Sequence, residues 1–107
     1  MSENIPEQKI ITAVASHLEV IGDPTRLTIL YALADHEQCV TELSEITGFS
    51  LPAVSHHLRI LKDKGFVIKR KQGIKVYYQL VDSCIRQVIA IARGHIEENH
   101  GYSEALS

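Results

Sequence analysis

A chain of 107 residues, 45% hydrophobic and 22% charged, has the length and balance of one globular domain, 1–107, with loosely ordered ends. It has no internal repeat, no low-complexity run, no apolar stretch of spanning length and no N-terminal signal pattern, so the expected protein is soluble and cytoplasmic, with no membrane partner. Net charge is −2 and there are two cysteines, too few for a disulfide framework; in a reducing cytosol they are buried, metal-bound or redox-reactive.

Apolar residues at Ile10, Ile11, Val14, Leu18 and Ile21 recur at a helical period from Gln8 until Gly22 stops it. Asp23-Pro24 then supplies a cap and a first-turn proline for a second helix through Leu27, Ile29, Leu30 and Leu33, ending near Asp35-His36. Thr41 offers an N-cap or first-turn hydroxyl to a short third helix that stops at Gly48. Ser50 caps a fourth helix running to about Lys64, with Val54, Leu58 and Leu61 inward and Gly65 ending it.

Two helices joined by a four-residue turn containing glycine, the second carrying small and polar residues outward, have the form of a helix-turn-helix. On that second helix Ser50, Ala53, Ser55, His56 and His57 are suited to close approach to base edges, and Arg59 and Lys62 to phosphates. An ordinary polar helix surface is the plainer reading of the serine and the histidine pair. Charge distribution favours DNA: seven of the eleven basic residues lie within Arg59–Lys75, accompanied only by Asp63. Phe66–Arg70 and Val76–Leu80 read as the strands of a hairpin whose flexible tip carries Lys71, Gln72 and Lys75. Beside a helix-turn-helix such a hairpin is a wing, with Arg70 and the tip residues against the DNA backbone or in a minor groove. A hairpin that only closes the core accounts for Val67, Ile68 and Val76 but not for the lysines. Structural roles suit Tyr77 and Tyr78 better than base stacking.

The last helix opens at Asp82-Ser83-Cys84 and carries His95 and Glu98 near its end. At about 1.5 Å per residue, Cys84 and His95 lie roughly 16 Å apart, beyond the reach of one ion. At about 100° per residue, His95 returns to within about 20° of Cys84, and Glu98 falls about 40° to the other side. Two such helices packed antiparallel in a homodimer would bring Asp82 and Cys84 of one chain to His95 and Glu98 of the other, making two symmetric sites with S, N, O, O donors. The plainer reading is an aspartate cap and solvated helix ends. Nothing points to catalysis: a phosphate loop and a nucleophile motif are both missing.

Gly22-Asp23-Pro24-Thr25-Arg26-Leu27, Ala53-Val54-Ser55-His56-His57-Leu58, and Lys71-Gln72-Gly73 through Val76-Tyr77-Tyr78-Gln79-Leu80 resemble the second-helix opening, recognition helix and wing of the ArsR/SmtB family of winged-helix repressors. The resemblance runs from about Ala13 to Glu98. It implies a mainly α winged helix-turn-helix with a β-hairpin wing, four helices before the hairpin and one after. It also implies a homodimer built from the first and last helices, which binds an inverted-repeat operator in double-stranded DNA and releases it on binding an inducer. The family's last-helix metal pattern, shared across the dimer, is matched at Asp82, His95 and Glu98, with Cys84 where histidine is usual. Zinc is the first choice for such donors; cobalt, nickel or cadmium are alternatives. The family's third-helix site is matched only at Cys39 and Glu42, with Thr41 in place of a second cysteine and His17 the sole soft donor upstream, so a small buried residue is the better reading of Cys39. Two further functions stay open: thiol-based sensing of oxidants or reactive sulfur through Cys39 and Cys84, and architectural DNA binding without an inducer.

Overall fold

The computed structural model describes residues 4–99; the chain ends, expected to be loosely ordered, lie outside them. Five helices and one hairpin follow the expected order: α1 (Gln8–Ile21), α2 (Pro24–Leu33), α3 (Val40–Thr47), α4 (Leu51–Asp63), β1 (Val67–Gln72), β2 (Lys75–Leu80) and α5 (Ser83–Asn99). Local chemistry sets most boundaries. The Asp23 carboxylate accepts from the Arg26 backbone N–H at 3.0 Å, and the Ser50 hydroxyl from that of Ala53 at 3.2 Å, each satisfying an N–H that the first helical turn leaves without a partner. Gly48 closes α3 at φ 79°, a left-handed conformation that costs glycine little.

Two helix boundaries differ from the sequence expectation, and the strands run from Val67 to Gln72 and from Lys75 to Leu80 rather than over Phe66–Arg70 and Val76–Leu80. α2 ends at Leu33, short of Asp35-His36, because Gln38 must be extended to pair with Tyr78: its N–H donates to the Tyr78 carbonyl at 3.0 Å and its carbonyl accepts from Tyr78 at 2.8 Å. The chain turns within Ala34–Glu37, and the buried Gln38 amide donates back to the Ala32 carbonyl. Cys39 rather than Thr41 is then the N-cap of α3, its backbone N–H donating to the Glu42 carboxylate at 2.9 Å. The same bond holds the Glu42 carboxyl below its ordinary pKa.

The turn between α3 and α4 is three residues, Gly48 to Ser50, and side chains fix it. The Ser44 hydroxyl donates to the Phe49 carbonyl at 2.6 Å, and the Phe49 N–H to the Thr47 hydroxyl at 3.2 Å. β1 and β2 pair antiparallel from Val67 with Leu80 to Gln72 with Lys75, leaving only Gly73 and Ile74 as the tip. Gly73, at φ 65°, takes the first central position of this two-residue turn, so the tip is tighter than the loose loop the sequence suggested.

The core lies between α2, α3, α4 and the hairpin base. Ile29, Leu30, Leu33, Leu43, Val54, Leu58, Leu61, Phe66 and Val67 are buried. Each full burial contributes about 1.5–3 kcal/mol, so α2 and α4, with three residues each, dominate. Strand alternation divides the expected pair Val67 and Ile68: the first is 1% exposed, the second 41%. α1 and α5 each bury one residue, Val20 and Ile89. Their outer faces display Ile10, Ile11, Val14 and Leu18, and Val88, Ile91 and Ile96. A radius of gyration of 15.8 Å, against about 13 Å for a compact domain of this length, reflects these outlying helices. α5 is tied to α2 by two bonds: the Tyr31 hydroxyl donates to the Ile89 carbonyl at 2.7 Å, and Arg86 Nε to that of Ala34 at 2.8 Å.

Candidate nucleic-acid interface and metal centre

α4 buries Val54, Leu58 and Leu61, which turns the opposite face outward by helical periodicity. Ser50, Ser55, His56, Arg59 and Lys62 are exposed there, and Ala53 is half-buried at the edge of the face. His57, expected outward, is half-buried against α2, with its Nδ1 3.4 Å from Arg26 Nη1. Because a guanidinium can only donate, this contact makes Nδ1 an acceptor and leaves the ring proton on Nε2. Burial is the largest influence on His57 and lowers its pKa; Arg26 and His56 lower it further and Asp23 opposes them. Arg26 also donates through Nε to the Val20 carbonyl at 2.8 Å, so one side chain links the end of α1, the start of α2 and the middle of α4.

Strand alternation puts Lys69 and Lys71 on the face of the buried Val67, and Arg70, Gln72 and Lys75 on the other. Lys71, Gln72 and Lys75 are exposed at the tip. Arg70, expected with them on the DNA side, passes over the Tyr77 ring, 5.5 Å from its centroid, and donates through Nε and Nη2 to the two oxygens of the Glu37 carboxylate. This pair lowers the Glu37 pKa. Lys69 stands opposite Tyr78 and, with Arg59 and Lys62 of α4, lines a polar cleft. Lys69 is one of the seven clustered basic residues and has no separate role in the sequence reading; the signal that places it is its position two residues from the buried Val67.

The four α5 donors remain apart within one chain, as their spacing requires. Asp82, Cys84, His95 and Glu98 are all exposed, and among the described residues no three His, Cys, Asp or Glu side chains converge. Asp82 acts as a cap: its Oδ1 accepts from the Cys84 N–H at 3.0 Å and the Ile85 N–H at 3.3 Å. Asn99 Nδ2 lies 3.1 Å from His95 Nδ1. Cys39 is half-buried and Cys84 exposed, both free thiols. His17 stacks on Phe66 at 4.6 Å and faces an apolar groove between α1 and α5 together with Leu18, Ile85 and Val88.

Comparison with known proteins agrees with this architecture. The model of bacterial regulatory proteins of the arsR family matches residues 23–69, from the start of α2 into β1. The HTH-type transcriptional regulator NmtR of Mycobacterium tuberculosis is 38% identical over 81% of this chain and 72% of its own length. The solution structure of apo-NmtR covers 94% of this chain and 83% of that one with a TM-score of 0.77 and 35% identity. A cadmium resistance transcriptional regulatory protein CadC homolog of Staphylococcus aureus is 38% identical over 79% of this chain and 71% of its own. The homodimeric winged helix-turn-helix DNA-binding domain of Mb0332 from Mycobacterium bovis covers 92% and 93% of the two chains, with a TM-score of 0.79 and 26% identity. The chain belongs to the arsR family of bacterial regulatory proteins, which are DNA-binding transcriptional regulators and not enzymes.

Proposed function

We propose that this protein is a homodimeric repressor that holds an inverted-repeat operator through α4 and the wing and releases it when a transition metal bridges the two α5 helices. The observation that carries the reading is the arrangement of α5: four donors exposed at the two ends of one helix, with Val88 and Ile91 exposed between them. A helix that offers apolar side chains to solvent in its middle is suited to a second copy, and antiparallel packing of two copies closes both donor sets. The apolar outer face of α1 extends the same surface, and the homodimeric relative supports dimerisation.

The residues fit a metal. A thiolate, an imidazole and two carboxylates make a four-coordinate set suited to zinc, with cobalt, nickel and cadmium as alternatives; the cadmium-resistance relative supports a metal inducer. Asp82 uses one oxygen as a cap and has a second to offer. For His95 to bind through Nε2 its proton must reside on Nδ1.

On DNA, two recognition helices about 34 Å apart read successive major grooves. Ser50, Ala53, Ser55 and His56 face the bases, His57 flanks them at the helix edge, and Arg59, Lys62, Lys71, Gln72 and Lys75 meet the backbone. Arg70 braces the wing by pairing with Glu37 and by donating to Gln72 Oε1 at 3.2 Å. A change in the angle between α5 helices reaches α4 through the bonds of Tyr31 on α2 to Ile89 and of Arg86 on α5 to Ala34, and then through Arg26 on α2 to His57. The test is DNA release by the reduced protein titrated with Zn, Co, Ni, Cd and Cu(I), with Cys84→Ala and His95→Ala in parallel. Both variants are expected to bind DNA and ignore metal; unchanged release in either removes the shared site.

A thiol-sensing alternative rests on one observation, the exposed free thiol of Cys84 at the start of α5, with Cys39 as the second cysteine. Release by oxidant in the presence of chelator, and not by metal under reductant, would select it. Uniform affinity across unrelated duplexes would instead select an architectural role.

A further inference from the structure

The cleft between α4 and β1 is about 480 Å³ and presents Arg59, Lys62 and Lys69, with Ser55 and His56 on one side and the single carboxylate of Asp63. Three basic side chains therefore face one carboxyl side chain. The ion pairs of the described residues are elsewhere, Glu7 with Lys9, Glu37 with Arg70 and Glu97 with Arg93, so among the described residues none of the three has a carboxylate within ion-pair distance. Arg70 provides the contrast: one residue along the same strand, on the other face of the hairpin, it has its carboxylate. Holding unpaired like charges together is unfavourable unless an anion completes them.

Position indicates which anion. The cleft adjoins the outer face of the recognition helix, with Ser55 and His56 belonging to both. Its cations come from two elements, the last two turns of α4 and the base of the wing. We infer that this cleft seats one phosphate diester of the DNA backbone, gripped simultaneously by Lys62 and Arg59 from α4 and by Lys69 from β1. The inference rests on the DNA-binding reading and deepens it: helix and wing would hold a single phosphate from two sides, fixing the depth and angle at which α4 enters the groove. Lys69 becomes a contact of the wing base, distinct from the lysines of the tip.

The test uses a 30-base-pair duplex selected by the wild-type protein from a random library, with its phosphates replaced one at a time by neutral methylphosphonates. Affinity is measured for wild type, Lys69→Gln and Lys62→Gln. In wild type, one position per half-site is expected to cost about tenfold or more, the worth of a charge-assisted hydrogen bond. In both variants the penalty at that same position should shrink towards onefold while penalties elsewhere persist. Lys62 and Lys69 are exposed and make no ion pair with any described residue, so the variants should melt like wild type. Loss of the penalty at different positions in the two variants, or at none, overturns the shared seat and leaves DNA binding intact. Failure of the wild-type protein to enrich any duplex would remove the DNA reading itself, and the seat with it.

Discussion

Asp82 has two roles that one residue change can separate. As a cap, it accepts two backbone N–H groups at the start of α5, at 3.0 and 3.3 Å. As a proposed metal donor, it adds an anionic oxygen to a site completed by the other subunit. Asparagine caps about as well as aspartate but lacks the charge, whereas alanine does neither. Asp82→Ala should therefore cost the metal-free protein about 1 kcal/mol, and Asp82→Asn a few tenths at most. With a urea m-value of about 2 kcal/mol/M, the first is a midpoint shift of about 0.5 M and the second is close to nil.

Zinc adds the second axis. At free metal a hundredfold above the dissociation constant, binding to the folded state alone contributes about 2.7 kcal/mol per site, again at fixed protein concentration because the proposed unit is a dimer. Wild type should gain that increment. Asp82→Asn should lose much of it with little change in the metal-free midpoint, Cys84→Ala should lose it likewise, and Asp82→Ala should lose on both axes. The assay is urea unfolding followed by helical circular dichroism, with chelator and with buffered zinc. A zinc increment kept by both Asp82→Asn and Cys84→Ala refutes the α5 site. An Asp82→Ala protein as stable as wild type in chelator refutes the capping argument.

Leu58→Ala should destabilise the fold by about 2–5 kcal/mol, because a wholly buried side chain is removed from the centre of α4; a loss under 1 kcal/mol in chemical denaturation would place the core elsewhere. His57 has a folded-state pKa below the ordinary imidazole value of about 6.5, so between the two values the unfolded chain binds more protons and stability falls as pH drops through that window. Replacing His57 with Gln should flatten the urea midpoint between pH 7.5 and about 5.5, above the range where the carboxyls of Asp23, Glu37 and Glu42, lowered in the fold, begin to take up protons in the unfolded chain; parallel pH profiles would contradict this. Tyr31→Phe keeps the ring and deletes the bond to Ile89, so metal and DNA should each still bind while the factor by which one weakens the other shrinks; an unchanged factor would exclude this route.

The helix ends were legible because their chemistry is local. Asp23 before Pro24, Ser50 three residues before Ala53, and Gly48 after Thr47 each act within one turn. The start of α3 was not, because Cys39 becomes its N-cap only once Gln38 has paired with Tyr78, forty residues along the chain. The same holds for the site. Alternation outward from Val54, Leu58 and Leu61 exposes most of the expected α4 residues, but Arg26 turns His57 inward from 31 residues away and Glu37 claims Arg70 from 33. Lys69 was within reach of a period-two reading. Taking Lys71–Lys75 as a loose tip left the strand phase undefined, and the two-residue turn at Gly73 and Ile74 defines it.

These long-range contacts also bear on how a metal at α5 could act at α4. Bridging two α5 helices across a dimer changes nothing at the DNA unless each α5 carries its own domain with it. The bonds from Tyr31 and Arg86 are made to and from α5 near its middle and first turns, so α2 must follow that part of the helix. Arg26 then joins α2 to α4 through His57, close to the residues proposed to face bases. The free and DNA-bound dimers must differ in how well they bring Asp82 and Cys84 of one chain to His95 and Glu98 of the other, since a metal with equal affinity for both shifts nothing. A coupling of about 1–3 kcal/mol weakens the operator about 5- to 150-fold. That requires only a small misfit at donors that lie at the two far ends of a helix, where a rotation about its middle is largest.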